Sequence, residues 1–552
     1  MLTCLRAIGG AGTGKTSLMK QTAEKALARP EMGGNPFALG YSSFTRAARL
    51  EAAMRCGTAW GVPPEELMQN GWFRTAHSVC FRQLGVTRAE MISGNKEDTK
   101  WVSDAVGSDV AFAVDEDEEG GVAIYQGDPV AAAALNYWSL ARNVCRPLRE
   151  VVEADQNPEA PSAAEVIKRI EMYEQAKRID GRFDFTDLLS RFVGLRFSPK
   201  DGPTEVTPEG AVPDEVVGWI FDEAQDASLL LDLACRRLVT GDACRWAWLV
   251  GDPYQVLFSW AGASASHFMG WEVAKQHIMP KSYRCPKPIM LAGERCLQRL
   301  PDYWDRGIAP ADHEGEVIES ENFEDDLSDL RPDEDTLVIA RTNRNVLKIK
   351  GILEDVGVPY RWIKQRREGT GCKEIGLAGL WRLERGEGIS GEAWGRITEI
   401  LPSKTTDGRE WLIRGSKSAW KKGLSQRYDR VYAEDLPTLG ATAHLCEAIA
   451  NGKWAGLPDG GTKWVRAAKK WGVEAVSEPK IRIGTIHASK GMEASKVIVL
   501  TSISQRTRVA EEDDEKRFAE ERRVEYVACT RAKHKLVLAH DPRAKYRMEV
   551  PL

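Results

Sequence analysis

The sequence contains no apolar run of eighteen residues, and its N-terminus lacks a basic region followed by an apolar core. The first absence argues against a membrane-spanning helix, and the second argues against a secretory signal. The eleven cysteines are scattered singly without a C-x-x-C pair, which predicts reduced thiols and argues against a zinc or iron–sulfur site. We therefore expect a cytoplasmic protein that has no membrane partner.

The composition shows neither an excess of one charge nor a low-complexity tract. A net charge of −5, with 28% charged and 43% hydrophobic residues, is typical of an ordinary globular protein. A chain of 552 residues is too long for a single core and predicts roughly three to five domains. The weakly acidic balance does not indicate a nucleic-acid binder, but it averages over domains and is compatible with a local basic surface.

The stretch from Gly9 to Thr16 matches the phosphate-loop pattern G-x-x-x-x-G-K-[ST]. Glycines allow several backbone N–H groups to face phosphate oxygens, while Lys15 reaches the β- and γ-phosphates and Thr16 binds Mg²⁺. An apolar run before the loop and a helical stretch after it predict a helix N-terminus here, where anions are favoured. The alternative is an ordinary glycine-rich turn. The predicted nucleotide-binding residues are Gly9, Gly10, Ala11, Gly12, Thr13, Gly14, Lys15, Thr16 and Ser17.

Apolar runs that alternate with helical stretches predict parallel α/β sheets in two parts of the chain. The first block spans residues 1–84 and 162–267, and the second spans residues 268–361 and 479–552. Residues 85–161 interrupt the first block and predict an inserted, mostly helical subdomain. We therefore expect an α/β fold with two similar lobes, each built on a parallel sheet and each carrying an inserted accessory subdomain.

The insert of the second block, residues 362–478, differs in composition from the rest of the chain. Between Lys404 and Trp471 it has 13 basic and 7 acidic residues, interleaved with tryptophans 411, 420, 454, 464 and 471. Basic and aromatic residues together suit phosphate contact and base stacking. A helical subdomain with tryptophan in its core and lysine on a solvated face is an equally good interpretation.

The acidic motif from Asp222 to Asp226 follows a near-continuous apolar run, Val216–Phe221, which predicts a strand buried on both faces. Carboxylates at the carboxyl end of such a strand lie where α/β sheets bind ligands. We therefore expect Asp222 to hold Mg²⁺ and Glu223 to activate or orient the attacking water. The alternative is a pair of solvated acids.

Hydrolysis of a nucleoside triphosphate also needs positive charge to stabilise the transition state. Arg284 and Arg531 lie far downstream, in the second block. An arginine supplied across a cleft typically raises the rate about 10³–10⁵-fold. If both arginines belong to the second lobe, hydrolysis requires the two lobes to close.

The ordered set of motifs resembles the UvrD/Rep-like branch of superfamily 1 helicases, also called superfamily 1A. The resemblance covers both lobes, implies two RecA-like P-loop motor domains, and leaves the two inserts unmatched in detail. The matching segments are Gly9–Thr16, Ser43–Ala48, Thr75–Ser78, Asp184–Leu189, Asp222–Asp226, Gly251–Gly262, Tyr283–Arg284, Thr485–Glu493 and Glu521–Ala532.

The resemblance implies a role for individual residues at the nucleotide. Tyr283 would stack on the adenine of ATP, and Gln255 would sense the γ-phosphate. Arg284 and Arg531 would contact that phosphate from the second lobe, and Gly491 and Glu493 would lie close to the nucleotide. The implied catalytic residues are Lys15, Glu223, Gln255, Arg284 and Arg531, with ATP and Mg²⁺ as ligands.

The resemblance also implies a path for a single strand of nucleic acid. Phe258 and Trp260 would be aromatic stops on which bases stack. The other residues implied along the path are Arg46, Thr75, His77, Thr485 and His487. Two contacts typical of the family are missing, since Ala261 stands where the family commonly has arginine and Ala76 where it commonly has an aromatic residue. Phe44 is offset by one place, and the upstream glutamine segment that reads adenine does not occur before Gly9.

These features lead us to expect an ATP-driven translocase on single-stranded DNA that unwinds duplex junctions in replication, repair or recombination. The resemblance implies 3′-to-5′ movement. We also expect protein partners in repair, recombination or defence, and a nucleoid-associated location in the cytoplasm of a bacterium or of a phage-infected host. Two alternatives stay open. One is an ATP-dependent RNA helicase or remodeller, and the other is an ATP-gated DNA-binding subunit that does not translocate alone.

Overall fold

The computed structural model describes most of the chain as two compact units. The described residues are 2–43, 46–114, 123–155, 157, 159–363, 379–401, 404, 408–421, 429–452, 467, 470–472, 475–476 and 479–552. The first unit comprises Met1–Tyr283 and Trp304–Ala309, and the second comprises Arg284–Tyr303 and Pro310–Leu552. Across the described residues, we find no helix long and apolar enough to cross a membrane.

The first unit alternates strands and helices, as the sequence predicted. Its elements in chain order are β1 (Thr3–Ile8), α1 (Lys15–Leu27), β2 (Leu39–Ser43), α2 (Arg46–Trp60), α3 (Pro64–Gln69), β3 (Trp72–Arg74), α4 (Ala76–Leu84), α5 (Lys96–Val106), β4 (Val110–Val114), β5 (Ala123–Gly127), α6 (Pro129–Asn143), α7 (Leu148–Glu153), α8 (Ala163–Asp180), α9 (Phe185–Val193), β6 (Leu195–Ser198), β7 (Gly202–Glu205), β8 (Gly218–Asp222), α10 (Leu229–Leu238), β9 (Trp246–Gly251), α11 (Ala265–Met269) and β10 (Lys275–Ile278). Strand β11 (Lys281–Pro286) then leads into the second unit.

Among the described residues of the first unit, six strands form a parallel sheet in the order β10-β1-β9-β8-β2-β3. The carboxyl ends of neighbouring strands meet at one edge, since Ile8 lies opposite Gly251 and Ser43 lies opposite Asp222. Strand β10 pairs with β1, so the first unit extends past residue 268, where the sequence analysis began the second lobe.

The insert of the first unit has an apolar core of its own. Helices α5 to α8 and the antiparallel hairpin of β4 and β5 contribute to it, and Trp138 and Tyr173 are buried there. Helix α8 begins after Ser162, whose hydroxyl accepts a hydrogen bond from the Glu165 N–H at 3.3 Å. Because α8 supplies part of this core, the insert continues beyond residue 161, where the sequence analysis ended it.

The second unit repeats the alternation of strands and helices. Its elements in chain order are α12 (Lys287–Leu297), β12 (Ala309–Ala311), β13 (Glu316–Ser320), α13 (Phe323–Ser328), β14 (Thr336–Ala340), α14 (Asn343–Val356), β15 (Arg361–Trp362), α15 (Gly391–Ile400), α16 (Ser416–Lys421), α17 (Ala443–Ala450), β16 (Ile481–Thr485), β17 (Ala494–Leu500), α18 (Gln505–Asp513), α19 (Glu515–Cys529) and β18 (Ala532–Ala539).

A second parallel sheet organises this unit, in the order β13-β18-β17-β14-β16-β15. Ala340 at the end of β14 lies opposite both Thr485 and Leu500, so these strands also end at a common edge. The predicted α/β class with parallel sheets in both blocks is therefore confirmed.

The tryptophans of the second insert that the structure describes contribute to the core or pack against it. Trp411 is buried and stacks on the His444 ring with centroids 4.8 Å apart. Trp471 packs against the same core, and its indole N–H donates to the Gly357 carbonyl at 2.9 Å. For these two residues the structure favours the core interpretation over base stacking. Tryptophans 454 and 464, and the side chain of Trp420, lie outside the described residues.

Candidate nucleotide site and nucleic-acid interface

The loop after β1 has the backbone curl that phosphate binding requires. Gly12 and Gly14 have φ angles of 68° and 81°, in the left-handed region that favours glycine. A Cβ atom at Gly9 would come within 2.5 Å of Thr13 Oγ1, so a side chain at Gly9 would disturb the loop. The Gly9 N–H donates to the Gly251 carbonyl at 3.0 Å, which joins the loop to the end of β9.

Lys15 is the first residue of α1, and its side chain folds back over the loop. Its Nζ donates to the Gly9 carbonyl at 3.1 Å. Thr16 follows in the first turn of the same helix, where its hydroxyl is one of the hard oxygen ligands that Mg²⁺ prefers. Lys15 is therefore in contact with the loop, and Thr16 is the next residue of the helix.

Asp222 ends β8 and is the buried member of the acidic pair. Burial and the neighbouring Glu223 carboxylate raise the pKa of Asp222 to about 7, although the Tyr41 hydroxyl and Lys15 act in the opposite direction. The Tyr41 hydroxyl donates to Asp222 Oδ2 at 2.7 Å. Two adjacent carboxylates repel each other, which disfavours ionisation of both. A bound divalent cation would stabilise the ionised form of both groups, so the pair is suited to a metal site.

Glu223 has a φ angle of 52°, a left-handed conformation that is uncommon for a residue with a side chain. Its carboxylate accepts a hydrogen bond from Gln225 Nε2 at 2.6 Å. Gln225 Nε2 also donates to Asp226 Oδ2 at 3.1 Å, so the acidic motif is tied together by its own amide. Gln225 therefore restrains the carboxylates of Glu223 and Asp226 together.

Gln255 follows β9 and is held by a buried carboxylate. Its Nε2 donates to Asp252 Oδ2 at 2.8 Å, and the Tyr254 N–H donates to Asp252 Oδ1 at 3.1 Å. The backbone N–H of Asp252 donates to Gln225 Oε1 at 3.0 Å. The loops after β8 and β9 are therefore connected by side-chain hydrogen bonds at the same edge of the sheet.

Tyr283 lies beside the phosphate loop. Its backbone N–H donates to the Gly12 carbonyl at 2.8 Å, and the Ser282 hydroxyl donates to the Ala11 carbonyl at 2.8 Å. The Tyr283 side chain is 70% exposed, so one face of its ring is open. This position suits a ring that stacks on a nucleotide base.

Arg284 and Glu493 form an ion pair within the second unit. Arg284 Nε donates to Glu493 Oε2 at 2.6 Å, and Lys533 Nζ lies 2.6 Å from Glu493 Oε1. Burial opposes ionisation of Glu493, but the bonds from Lys533 and Arg284 outweigh it and hold the pKa of Glu493 below its usual range. Two residues that the resemblance assigned to the nucleotide are therefore in direct contact.

Arg531 is buried beside the same segment. Its guanidinium donates to the Met492 carbonyl at 3.2 Å and to the Val527 carbonyl at 3.0 Å. Gly491, one residue before Met492, has a φ angle of 77°. The structure thus brings Arg284, Glu493 and the Gly491 turn together with Arg531.

The two expected aromatic stops differ in exposure. Trp260 is 38% exposed, whereas Phe258 is 4% exposed and meets Trp260 edge to face with centroids 6.5 Å apart. Phe258 is therefore placed as a support for Trp260 and presents little surface of its own. Ala261, which replaces the expected arginine, is buried at the next position.

Thr75 and His77 lie at the start of α4, after the edge strand β3. Thr75 caps the helix, because its hydroxyl accepts a hydrogen bond from the Ser78 N–H at 3.3 Å. Burial lowers the pKa of His77 to about 4, so the ring is neutral at physiological pH. Its ring meets Phe185 edge to face at 6.2 Å. Both residues therefore have structural contacts at this position.

Of the remaining residues expected along the path of the nucleic-acid strand, the structure describes Thr485 and His487 but not the side chain of Arg46. Thr485 ends β16, and its hydroxyl accepts a hydrogen bond from the Ala488 N–H at 3.1 Å. His487 lies in the turn that follows, half-buried. The side chain of Arg46, together with the whole of Phe44 and Thr45, lies outside the described residues.

Sequence reasoning missed several residues that hold the site together. Gln225 was within a recognised motif, but its bridging role requires the neighbouring loop. Tyr41, Lys533 and Arg306, whose Nη1 donates to Asp252 Oδ1 at 2.7 Å, belong to none of the motifs. No sequence signal points to these three, because each is far in the chain from the residue that it contacts.

The phosphate loop, the acidic pair and the glutamine loop at one edge of a parallel sheet define the first unit as a P-loop ATPase. Residues 4–274 match the family model for the UvrD/REP helicase N-terminal domain, and residues 468–541 match that for the UvrD-like helicase C-terminal domain. The chain belongs to the UvrD/Rep-like superfamily 1 helicases. A comparison with curated proteins gave no significant match.

Membership of this family makes the chain an ATP-dependent DNA helicase and therefore a hydrolase. The family uses ATP with a divalent metal ion and binds single-stranded DNA and duplex junctions. The expectation of a superfamily 1A helicase, made from the ordered motifs, is thereby confirmed.

Proposed function

We propose that the chain uses ATP and Mg²⁺ to move 3′-to-5′ along single-stranded DNA and to unwind duplex at junctions. The observation that supports the nucleotide part best is the meeting of the phosphate loop, Asp222 and the Gln255 loop at one sheet edge. The polarity rests on the family resemblance. Replication, repair or recombination in the cytoplasm, with partner proteins, is the expected setting.

The first unit would bind and position the nucleotide. Loop N–H groups and Lys15 would hold the phosphates, and Thr16 and Asp222 would hold Mg²⁺, which offsets phosphate charge when bound. Glu223 would orient the attacking water, and Gln255 would respond to the γ-phosphate. Tyr283 would stack on the base, which its exposed ring beside Gly12 supports.

The second unit would supply the positive charge. Arg284 and Arg531 would stabilise the charge that develops on the transferred phosphoryl group. The contact of Glu493 with both Arg284 and Lys533 supports a restrained arginine, because a paired side chain samples fewer conformations. Gly491 would allow the Thr485–Glu493 segment to turn near the nucleotide.

The strand of DNA would pass Trp260, on which a base would stack. Exposure of the Trp260 indole and its support by Phe258 are consistent with this role. Arg46, Thr75, His77, Thr485 and His487 would line the rest of the path. The insert that begins at residue 85 and the insert at residues 362–478 would be accessory subdomains of the two motor lobes.

The first test is steady-state ATP hydrolysis by the full chain without nucleic acid, with single-stranded DNA, and with single-stranded RNA of matched sequence. We expect stimulation of about tenfold or more by DNA and little by RNA, because the 2′-hydroxyl changes the backbone that the path contacts. Equal or greater stimulation by RNA would favour an RNA remodeller. Stimulation by neither would favour a clamp that does not translocate alone.

Polarity needs a second assay, in which duplexes carry a single-stranded tail on either the 3′ or the 5′ side. A 3′-to-5′ translocase loads on the 3′ tail, so unwinding of the 3′-tailed duplex alone is expected. Unwinding of only the 5′-tailed duplex would contradict the proposed direction while leaving the DNA-dependent ATPase intact.

A further inference from the structure

Arg306 lies in a short segment, Trp304–Ala309, that belongs to the first unit although the chain on both sides belongs to the second. Its Nη1 donates to Asp252 Oδ1 at 2.7 Å, and the two side chains are 1% and 0% exposed. Buried charges persist in proteins only when they are paired and hydrogen bonded. The ion pair of Arg306 and Asp252 is therefore an integral part of the core of the first unit.

Asp252 is connected by hydrogen bonds to two residues of the proposed catalytic machinery, Gln255 and Glu223. Its Oδ2 accepts a hydrogen bond from Gln255 Nε2 at 2.8 Å. Its backbone N–H donates to Gln225 Oε1 at 3.0 Å, and Gln225 Nε2 donates to Glu223 Oε2 at 2.6 Å. A change in the orientation of Asp252 would therefore reach both Gln255 and Glu223.

The segment that carries Arg306 is itself fixed through Tyr254. The Trp304 N–H donates to the Tyr254 hydroxyl at 2.7 Å, and the Arg306 guanidinium lies 4.8 Å from the centroid of the Tyr254 ring. A cation over an aromatic face is attracted to it, more strongly when desolvated. Arg306 is thus held between an aromatic ring and a carboxylate, which leaves its side chain little freedom.

We propose that Arg306 is a positioning residue for ATP hydrolysis. Through its bond to Asp252 it sets the orientation of Gln255, and through Asp252 and then Gln225 it sets the orientation of Glu223. This inference rests on the function proposed above for Gln255 and Glu223. Arg306 donates to Asp252, and no substrate contact is assigned to it. Its loss should therefore reduce turnover of ATP without weakening the binding of ADP.

Substitution Arg306→Lys keeps the positive charge but loses the planar donor group of arginine. We expect kcat and kcat/KM for ATP to fall together by about tenfold, since the lost interaction acts mainly in the transition state. The dissociation constant of ADP is expected to change less than about twofold. In a Gln255→Ala background, the same substitution should lower kcat by less than it does in the parent, because the part of the effect that passes through Gln255 is already lost while the part that passes through Gln225 to Glu223 remains.

A matched control separates positioning from a general loss of stability. Arg142, in helix α6 of the insert, is also buried and pairs with Asp184 at 2.8 Å. Arg142→Lys should lower Tm by an amount similar to Arg306→Lys and leave kcat unchanged with or without Gln255→Ala. Equal losses of kcat from Arg306→Lys in both backgrounds, or a loss of Tm alone, would overturn the proposal.

A second variant removes both charges, so that no unpaired carboxylate is left buried. Arg306→Gln combined with Asp252→Asn can retain a hydrogen bond between the two side chains. Because the bond to Gln255 is weakened, we expect the same fall in kcat with unchanged ADP binding, and normal kcat would overturn the proposal. A parent protein that bound ADP but never hydrolysed ATP would instead refute the function on which the inference rests.

Discussion

The Tyr41 hydroxyl, in the middle of β2, donates a hydrogen bond at 2.7 Å to Oδ2 of Asp222, which ends the neighbouring strand β8. The bond fixes one oxygen of the carboxylate and leaves its remaining lone pairs for other ligands. Tyr41 is therefore placed to orient the residue proposed to hold the metal.

Substitution Tyr41→Phe should weaken the metal site while preserving the fold. Partners that orient a metal ligand typically contribute about 10–100-fold to metal affinity. We expect the Mg²⁺ concentration for half-maximal ATP hydrolysis to rise about tenfold or more, as measured by titrating Mg²⁺ at saturating ATP. Tyr173, in helix α8 of the insert, donates to Asp184 Oδ2 at 3.3 Å, so Tyr173→Phe is a matched control that should leave the midpoint unchanged.

Substitution Glu223→Gln should abolish turnover but preserve ATP binding. A positioned general base contributes about 10²–10⁴-fold to rate, so kcat should fall by at least about 10². Lys15→Ala should weaken ATP binding itself, because it removes a phosphate contact. Glu215, which precedes β8 at its opposite end, supplies the control, and Glu215→Gln should hydrolyse ATP normally. If Glu223→Gln hydrolysed ATP as fast as the parent, Glu223 would lose its proposed role.

Substitution Trp260→Ala should weaken the binding of single-stranded DNA. Stacking contributes about 1–3 kcal/mol per base, which corresponds to about 5–150-fold in Kd. Trp260→Phe retains an aromatic face and should recover most of the affinity. The dependence of Kd on salt concentration should be the same for both variants, because it reports phosphate contacts. Equal affinity of Trp260→Ala and the parent would remove Trp260 from the strand path.

The stability of the chain should depend on pH through Glu525, which is buried in α19. Burial raises the pKa of Glu525 to about 8, although Arg522, 3.0 Å away, acts in the opposite direction. The folded protein therefore keeps a proton that the unfolded chain releases near pH 4.5. The free energy of unfolding falls as pH rises between these values and changes no further from this group above about pH 8.

Substitution Glu525→Gln removes this dependence. We expect Tm to rise by about 2–4 °C at pH 8.5, equivalent to about 1 kcal/mol, with a smaller gain at pH 5.5 where the parent is protonated. Scanning calorimetry at both pH values measures the difference. Glu515 is exposed on the same helix, so Glu515→Gln makes the same charge change and should leave the pH dependence unaltered. An equal gain at both pH values would contradict this explanation.

Much of the site could be predicted because its chemistry is local in sequence. The loop at Gly9–Thr16 needs only consecutive glycines followed by a helix, and β8 ends at Asp222 as its apolar run predicted. Burial was harder to predict for aromatic residues. Phe258 is buried while Trp260 is exposed, and Trp411 lies in a core, because aromatic side chains suit both a core and a stacking surface.

The sequence by itself determined the fold class, the family and the identity of the phosphate loop and acidic pair, since these depend on short-range spacing and hydrophobic pattern. Only the tertiary structure decided which side chains hold them. Tyr41 reaches Asp222, and Arg306 reaches Asp252, across long stretches of chain. Such contacts depend on the order of strands in the sheet and on the return of Trp304–Ala309 to the first unit, and neither leaves a local pattern in the sequence.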